Sequence, residues 1–213
     1  MTCDNTTMDM RRLLDILFPP RTDETALRDV SNDDFLALLS PQVAGGTRPE
    51  TVALLPFSAP SVRAAVHEAK YHRSEKAFRL LAETLEEYLR DDDEWPSHRC
   101  SIVPIPLGAL RRKERGYNQV EEIAMRATKN LSGFTVDTAL LVRTRETASQ
   151  VSLPRRRREE NMRGAFRVAH DINPSCTYLI LDDVLTTGAT LQAAIEALRT
   201  AGAVAIIPLA LAH

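Results

Sequence analysis

Two apolar runs constrain the fold more than anything else in this chain. "YLILDD" (178–183) and "VAIIPLALA" (204–212) lack the polar alternation of a half-solvated strand, so each reads as a strand buried on both faces. Between them, "TLQAAIEALRTAGA" (190–203) carries apolar residues at helical spacing and is closed by Gly202. Strand, helix, strand in that order requires a parallel pair joined by a crossover helix, with further helices covering the sheet.

The remaining segments extend the same pattern. "SIVPIP" (101–106) is a β-branched strand ending in prolines. "QVEEIAMRATKNL" (119–131) is a helix with Val120, Ile123, Ala124 and Ala127 on one face. Residues 60–91 read as helix, with a break near His72–Ser74 that divides it in two. "ALLVRTR" (139–145) and "AFRVA" (165–169) read as short strands. "LGALRRKERGYNQ" (107–119) is too polar and basic for core and reads as a loop, and residues 146–163 as a long Arg-rich loop. Signals are weak at the start: a short helix over 8–17, acidic turns, a short helix over 32–40 and a loop "SPQVAGGTRP". The expected class is α/β, a parallel sheet flanked by helices (residues 60–213), with a small N-terminal hood or appendage (residues 1–59).

Composition excludes several function classes. At 213 residues and 44% hydrophobic, the chain is long enough to bury a core. A net charge of −2 does not announce a nucleic-acid or membrane binder. No apolar run approaches the roughly 18 residues of a membrane span, and "MTCDNTTMDMRRLLDILFPP" does not resemble a signal peptide, so the expected compartment is cytoplasmic. Cys3, Cys100 and Cys176 lack disulfide or zinc spacing and read as inert. His67 and His72 read as structural, without metal-ligand companions, and Trp95 as a surface or packing residue.

The chemistry concentrates in "YLILDDVLTTGAT" (178–190). Ligands of open α/β sheets bind at the carboxyl ends of strands, which is where Asp182 and Asp183 fall. Leu185, Thr186, Thr187, Gly188, Ala189 and Thr190 then lead into a helix N-terminus, whose outward amides and dipole favour an anion. Thr190 reads as the N-cap. The loop suits a phosphate and the carboxylates suit hydroxyls, so a ribose 5-phosphate satisfies both. A P-loop NTPase is excluded, because G-x-x-x-x-G-K-[ST] is absent.

This stretch resembles the phosphoribosyl pyrophosphate (PRPP) signature of type I phosphoribosyltransferases. "VPIPLGALRRKERGYNQVEEIA", R-x-R-x-T-x-x-Q (Arg143 to Gln150) and R-x-x-N-M-R-G-A-F (Arg158 to Phe166) resemble its ComF/GntX-like, competence-associated branch. "FPPR" and "EAKYH" are similar to that branch's N-terminal part. The likeness covers residues 60–213 well and 10–60 loosely. The branch's cysteine zinc ribbon is absent: "RTDETALRD" stands in its place.

The resemblance implies a set of roles. Asp182 and Asp183 would hold the ribose hydroxyls and carry the catalytic role, and Leu185 through Thr190 the 5-phosphate. Arg111, Arg112 and Arg115 would lie near the pyrophosphate, with Lys70 as a further candidate ligand. Residues 143–163 would be a mobile cover. Mg²⁺ would accompany PRPP without protein side-chain ligands. The implied activity is transfer of the phosphoribosyl group to a nitrogen nucleophile, a nucleobase or amine, with release of pyrophosphate. The alternative is a non-catalytic PRPP-, nucleotide- or single-stranded-DNA-binding protein of DNA uptake or recombination, acting with DNA-processing proteins. Residues 143–167 hold eight arginines against three glutamates, which suits a polyanion, but Phe166 is their only aromatic.

Overall fold

The computed structural model describes residues 22–90, 100–144, 162 and 164–213. The expected helix at 8–17, Cys3, Trp95, the acidic run at 91–96 and most of the Arg-rich loop, Arg155 to Arg158 included, lie outside them.

The strands are β1 (Gln42–Ala44), β2 (Thr51–Leu55), β3 (Cys100–Pro104), β4 (Phe134–Val136), β5 (Leu141–Arg143), β6 (Phe166–Val168), β7 (Thr177–Val184) and β8 (Ala205–Ala212). Six of them form one sheet in the order β1-β2-β8-β7-β3-β4. All its neighbours are parallel except β1 with β2. The two apolar runs pair directly, with Leu181 opposite Leu209 and Asp182 opposite Ala210. The short strands β5 and β6 form a separate antiparallel pair.

The helices are α1 (Thr22–Arg28), α2 (Asn32–Leu36), α3 (Pro60–Tyr71), α4 (Glu75–Leu89), α5 (Ala109–Arg115), α6 (Gln119–Ala127) and α7 (Ala189–Thr200). The break between α3 and α4 falls where expected: Arg73 takes φ 51 and the Ser74 side chain caps α4 by accepting from the Ala77 amide. The segment read as a loop at 107–119 contains α5 instead. Its residues are good helix formers between Gly108 and Gly116, the latter left-handed at φ 77, but none is buried, so no apolar stripe announced it. Two further corrections concern the start of the chain. The acidic turns include helix α1, and the glycine-containing loop begins as β1. β2, also before residue 60, pairs with β8 and so belongs to the sheet.

Two hydrophobic layers cover the sheet. One gathers Val62 and Ala65 of α3, Phe78 and Leu85 of α4 and Ile123 of α6 over Leu179, Leu181 and Leu209. The other gathers Ala194, Ile195 and Leu198 of α7 with Leu141 and Phe166 over Ile180, Tyr178 and Ala210. Successive side chains of β7 therefore enter opposite layers, as the pleat demands. Leu179, Ile180 and Leu181 have no solvent exposure, and each burial contributes about 1.5–3 kcal/mol. Cys100 and Cys176 are free and buried, and burial followed by the neighbouring Cys176 pushes the Cys100 thiol up to about 12, in keeping with an inert role. No helix among the described residues is long and apolar enough to cross a membrane.

Candidate functional site

Because β3 and β7 run parallel, the segments that follow them leave the same edge of the sheet. A cleft of ≈ 180 Å³ opens there, lined among others by Lys70, Arg111, Arg115, Gln119, Arg143, Asp182, Asp183, Thr186 and Thr190. Nearly all the expected charged positions thus converge from α3, α5 and β7, and α7 adds Thr190.

The two aspartates have different surroundings because the pleat sends them to opposite layers. Asp183 is buried, on the α3 and α6 side. The Lys70 ammonium lies 2.9 Å from its Oδ2, and Gln119 donates its side-chain amide to the same oxygen. Arg115 donates to the Gln119 carbonyl at 3.1 Å, so this glutamine links a cleft arginine to the carboxylate. Asp182 is partly exposed at the mouth and accepts the Asp183 amide at 2.9 Å. Burial, then the charge of Asp183, push its carboxyl up to about 7; the Asp183 amide, Lys70 and Arg143 pull the other way.

The loop from Leu185 to Thr190 is built by backbone contact. Gly188, at φ 77, is the N-cap of α7 and offers no side-chain cap, which corrects the assignment of that role to Thr190. Thr190 lies inside the first turn and lines the cleft with Thr186. Leu185 and Ala189 are buried, anchoring both ends of the loop. Gly46, at φ 114, lies against this loop so closely that a Cβ there would sit 2.9 Å from the Thr187 carbonyl oxygen. A Cβ on Gly188 would in turn meet the Gly46 carbonyl oxygen at 2.9 Å. The backbone approach is open only to glycine on both sides.

The basic residues divide. Arg111 and Arg115 line the cleft, and Arg115 also stacks over the Tyr71 ring at 4.8 Å. Arg112 is not among the cleft residues; its guanidinium holds both carboxylate oxygens of Glu121 at 2.8 Å. Of the Arg-rich segment, Arg143 lines the cleft, with its guanidinium 5.5 Å from the Phe166 ring centre, and the larger part lies outside the described residues.

Gln119 was not singled out by sequence. The available signal was its position after Asn118, whose side chain accepts from the Val120 amide at 3.1 Å and caps α6 at the strand-end level of Asp183. Tyr117 likewise ties the site together: its hydroxyl donates to the Ala69 carbonyl at 2.8 Å and accepts from the Arg73 amide. The histidines need a correction too. His67 Nδ1 lies 2.8 Å from Asp23, and His67, Glu68 and His72 bring their donor atoms within 4.8 Å of one another.

Chemically, the cleft sets a helix N-terminus and four cationic side chains around two carboxylates. It suits a ligand with anionic groups at its ends and hydroxyls between them.

No family model matches the chain. The chain is 32% identical over 150 residues to the DNA utilization protein YhgH of Salmonella typhi, across 69% of this chain and 65% of that protein. It is 32% identical over 130 residues to competence protein F of Haemophilus influenzae, across 58% and 56% respectively. YhgH of Escherichia coli matches at 32% over 153 residues, 70% of this chain and 65% of that one. The chain thus spans 65% or less of these relatives' lengths. Among solved structures, adenine phosphoribosyltransferase of Leishmania tarentolae overlaps 80% of this chain and 79% of its own, at 16% identity and a TM-score of 0.41. A hypoxanthine phosphoribosyltransferase of Staphylococcus aureus overlaps 62% and 61%, at 14% identity and 0.37. Overlaps at those scores carry no weight for function. By sequence, the chain is similar to competence protein F and to the DNA utilization proteins at 32% identity.

Proposed function

We propose that this chain binds PRPP in the cleft at the β7 end and transfers its phosphoribosyl group to a nitrogen nucleophile. One observation carries the reading: Asp182 and Asp183 share a cleft with Thr186 and Thr190 of the α7 N-terminus and with Lys70, Arg111 and Arg115. The ribose 5-phosphate would lie against the amides of residues 185–190, and the ring hydroxyls would donate to Asp182 and Asp183.

Arg111, Arg115 and Lys70 would face the pyrophosphate. The bond from C1 of the ribose to the pyrophosphate oxygen breaks with both electrons leaving on oxygen, and the cations stabilise that growing charge. The lone pair of the attacking nitrogen then forms the new bond to C1, and the nitrogen loses its proton to solvent. The carboxylates flank the ring, where positive charge develops on its oxygen and C1.

The donor set also fits Mg²⁺: carboxylates beside space for water and ligand oxygens suit an ion that keeps much of its hydration. Asp182 and Asp183 would hold it through water, and when bound it supplies further positive charge to the pyrophosphate.

The test is calorimetric titration with PRPP and Mg²⁺, paired with an assay of pyrophosphate release across nucleobases and small amines. Asp183→Asn is expected to abolish PRPP binding. Unchanged affinity in that variant refutes the site assignment.

A second reading, in which the cleft binds PRPP or a nucleotide without turnover while the protein serves DNA uptake, is favoured by two observations. Relatives carry the names competence protein F and DNA utilization protein. Helix α5 presents Arg111, Lys113 and Arg115 with no buried residue. PRPP binding without pyrophosphate release for any acceptor, together with single-stranded DNA affinity that falls steeply with salt, selects this second reading.

A further inference from the structure

We propose that His67, Glu68 and His72, joined by Asp23 of the facing helix, form a site for a divalent transition metal. Helix α3 supplies three donors from its last turns. His67 and Glu68 are consecutive, and His72 is the C-cap, where φ −124 ends the helix and brings its ring back beside the other two. The three donor atoms lie within 4.8 Å of one another, and the two imidazole centres are 5.6 Å apart. Donors of a tetrahedral zinc site stand roughly 3.4 Å from each other, given metal–ligand bonds of about 2.0–2.1 Å. Both histidines are exposed, so small side-chain rotations are open to them to close that difference.

Charge favours an ion at this place. Glu68 is only 1% exposed and sits at the C-terminal end of α3, the negative end of the helix dipole. His72 Nε2 is 3.9 Å from Glu68 Oε1, and His67 Nδ1 is 2.8 Å from Asp23 Oδ2, so two carboxylates and two imidazoles already face one another in pairs. One ion would bridge His67, Glu68 and His72, with Asp23 orienting the His67 ring or completing the set.

The donor chemistry selects the metal class. Two imidazoles with carboxylate oxygen suit Zn²⁺, Co²⁺ or Ni²⁺, whereas Mg²⁺ and Ca²⁺ prefer oxygen alone. The site is therefore distinct from the cleft, although both draw on α3. Lys70 leaves that helix towards Asp183, between Glu68 and His72 in sequence, and an ion here would fix the turn that carries it. It would also tie α1 to α3 through Asp23.

The test uses the full chain stripped of metal with a chelator and titrated with Co²⁺ alone, read by visible d–d absorption, then displaced with Zn²⁺. The expected result is one tight equivalent with the intense bands of a low-coordinate nitrogen and oxygen site, and a rise in Tm on adding Zn²⁺. His67→Ala and His72→Ala should each weaken binding by at least about tenfold. His170→Ala, at another exposed histidine that pairs with an aspartate, should bind as the parent does. Both substituted histidines are on the surface, and circular dichroism confirms that their variants fold. Failure of the parent chain to bind Co²⁺ or Zn²⁺, or equal binding by the His67→Ala/His72→Ala double variant, overturns the proposal.

Discussion

The Lys70 ammonium of α3 stands 2.9 Å from Oδ2 of Asp183 on β7, joining a helix of one layer to the tip of the central strand. Lys70→Met leaves Asp183 buried with the Gln119 amide but without its cation. The expected loss is about 1–3 kcal/mol in urea unfolding at neutral pH. Adding Asp183→Asn to that variant should restore most of it, since the uncompensated charge is then gone. A double variant as unstable as the sum of the two singles rules out the coupling.

Asp182 gives the fold a pH dependence with a defined sign. Its carboxyl is held at about 7 by burial and by Asp183, against an ordinary value of 3.8. Between those two values the unfolded chain has released the proton and the folded chain has kept it. The contribution is complete below the ordinary value and is lost as pH rises through about 7. Asp182→Asn should flatten the decline in unfolding free energy over that window by about 1–3 kcal/mol. Ligand affinity should run the other way: hydroxyls donate better to the ionised group, so PRPP should bind more tightly above about pH 7 than below it, and the Asn variant should lack that rise.

Gly46 and Gly45 are adjacent but unequal. A methyl on Gly46 meets the Thr187 carbonyl oxygen at 2.9 Å on a backbone of φ 114, whereas one on Gly45 meets nothing within 4 Å. Gly46→Ala should therefore displace the loop before α7, costing about 1–3 kcal/mol of stability and at least about tenfold in PRPP affinity. Gly45→Ala should change neither by a measurable amount. Thermal unfolding and calorimetry on the pair decide it.

The arginines of α5 are expected to separate by role. Arg111 lines the cleft, and Arg111→Gln should weaken pyrophosphate binding by about tenfold or more, the loss of one charge-assisted contact. Arg112 is held by Glu121, so Arg112→Gln should cost only about 0.2–1 kcal/mol of stability and leave that affinity within about twofold. Equal losses from both substitutions contradict this division.

The sheet was legible because its strands are continuous apolar runs: the β7–α7–β8 unit and the position of Asp182 and Asp183 follow from them directly. Short edge elements were not. β1 and β4 have three residues each, too few to show a period, and α5 buries nothing, so neither spacing nor hydrophobicity marked them. The partners of the carboxylates were also out of reach. Gln119 meets Asp183 across 64 positions, and Asp23 meets His67 across 44, distances over which one sequence carries no contact signal. The capping of α7 was misread because Thr190 has the usual side chain for that role, while the close approach of Gly46 requires glycine at 188.

The alternation of β7 between its two coverings has one more consequence. Asp182 belongs to the layer of α7 and β5, and Asp183 to that of α3 and α6, although they share a peptide bond. Two neighbouring codons thus encode acids that meet different side chains, Lys70 and Gln119 on one side and the covering of α7 on the other, while the charge of Asp183 still reaches the Asp182 carboxyl through the strand that carries both.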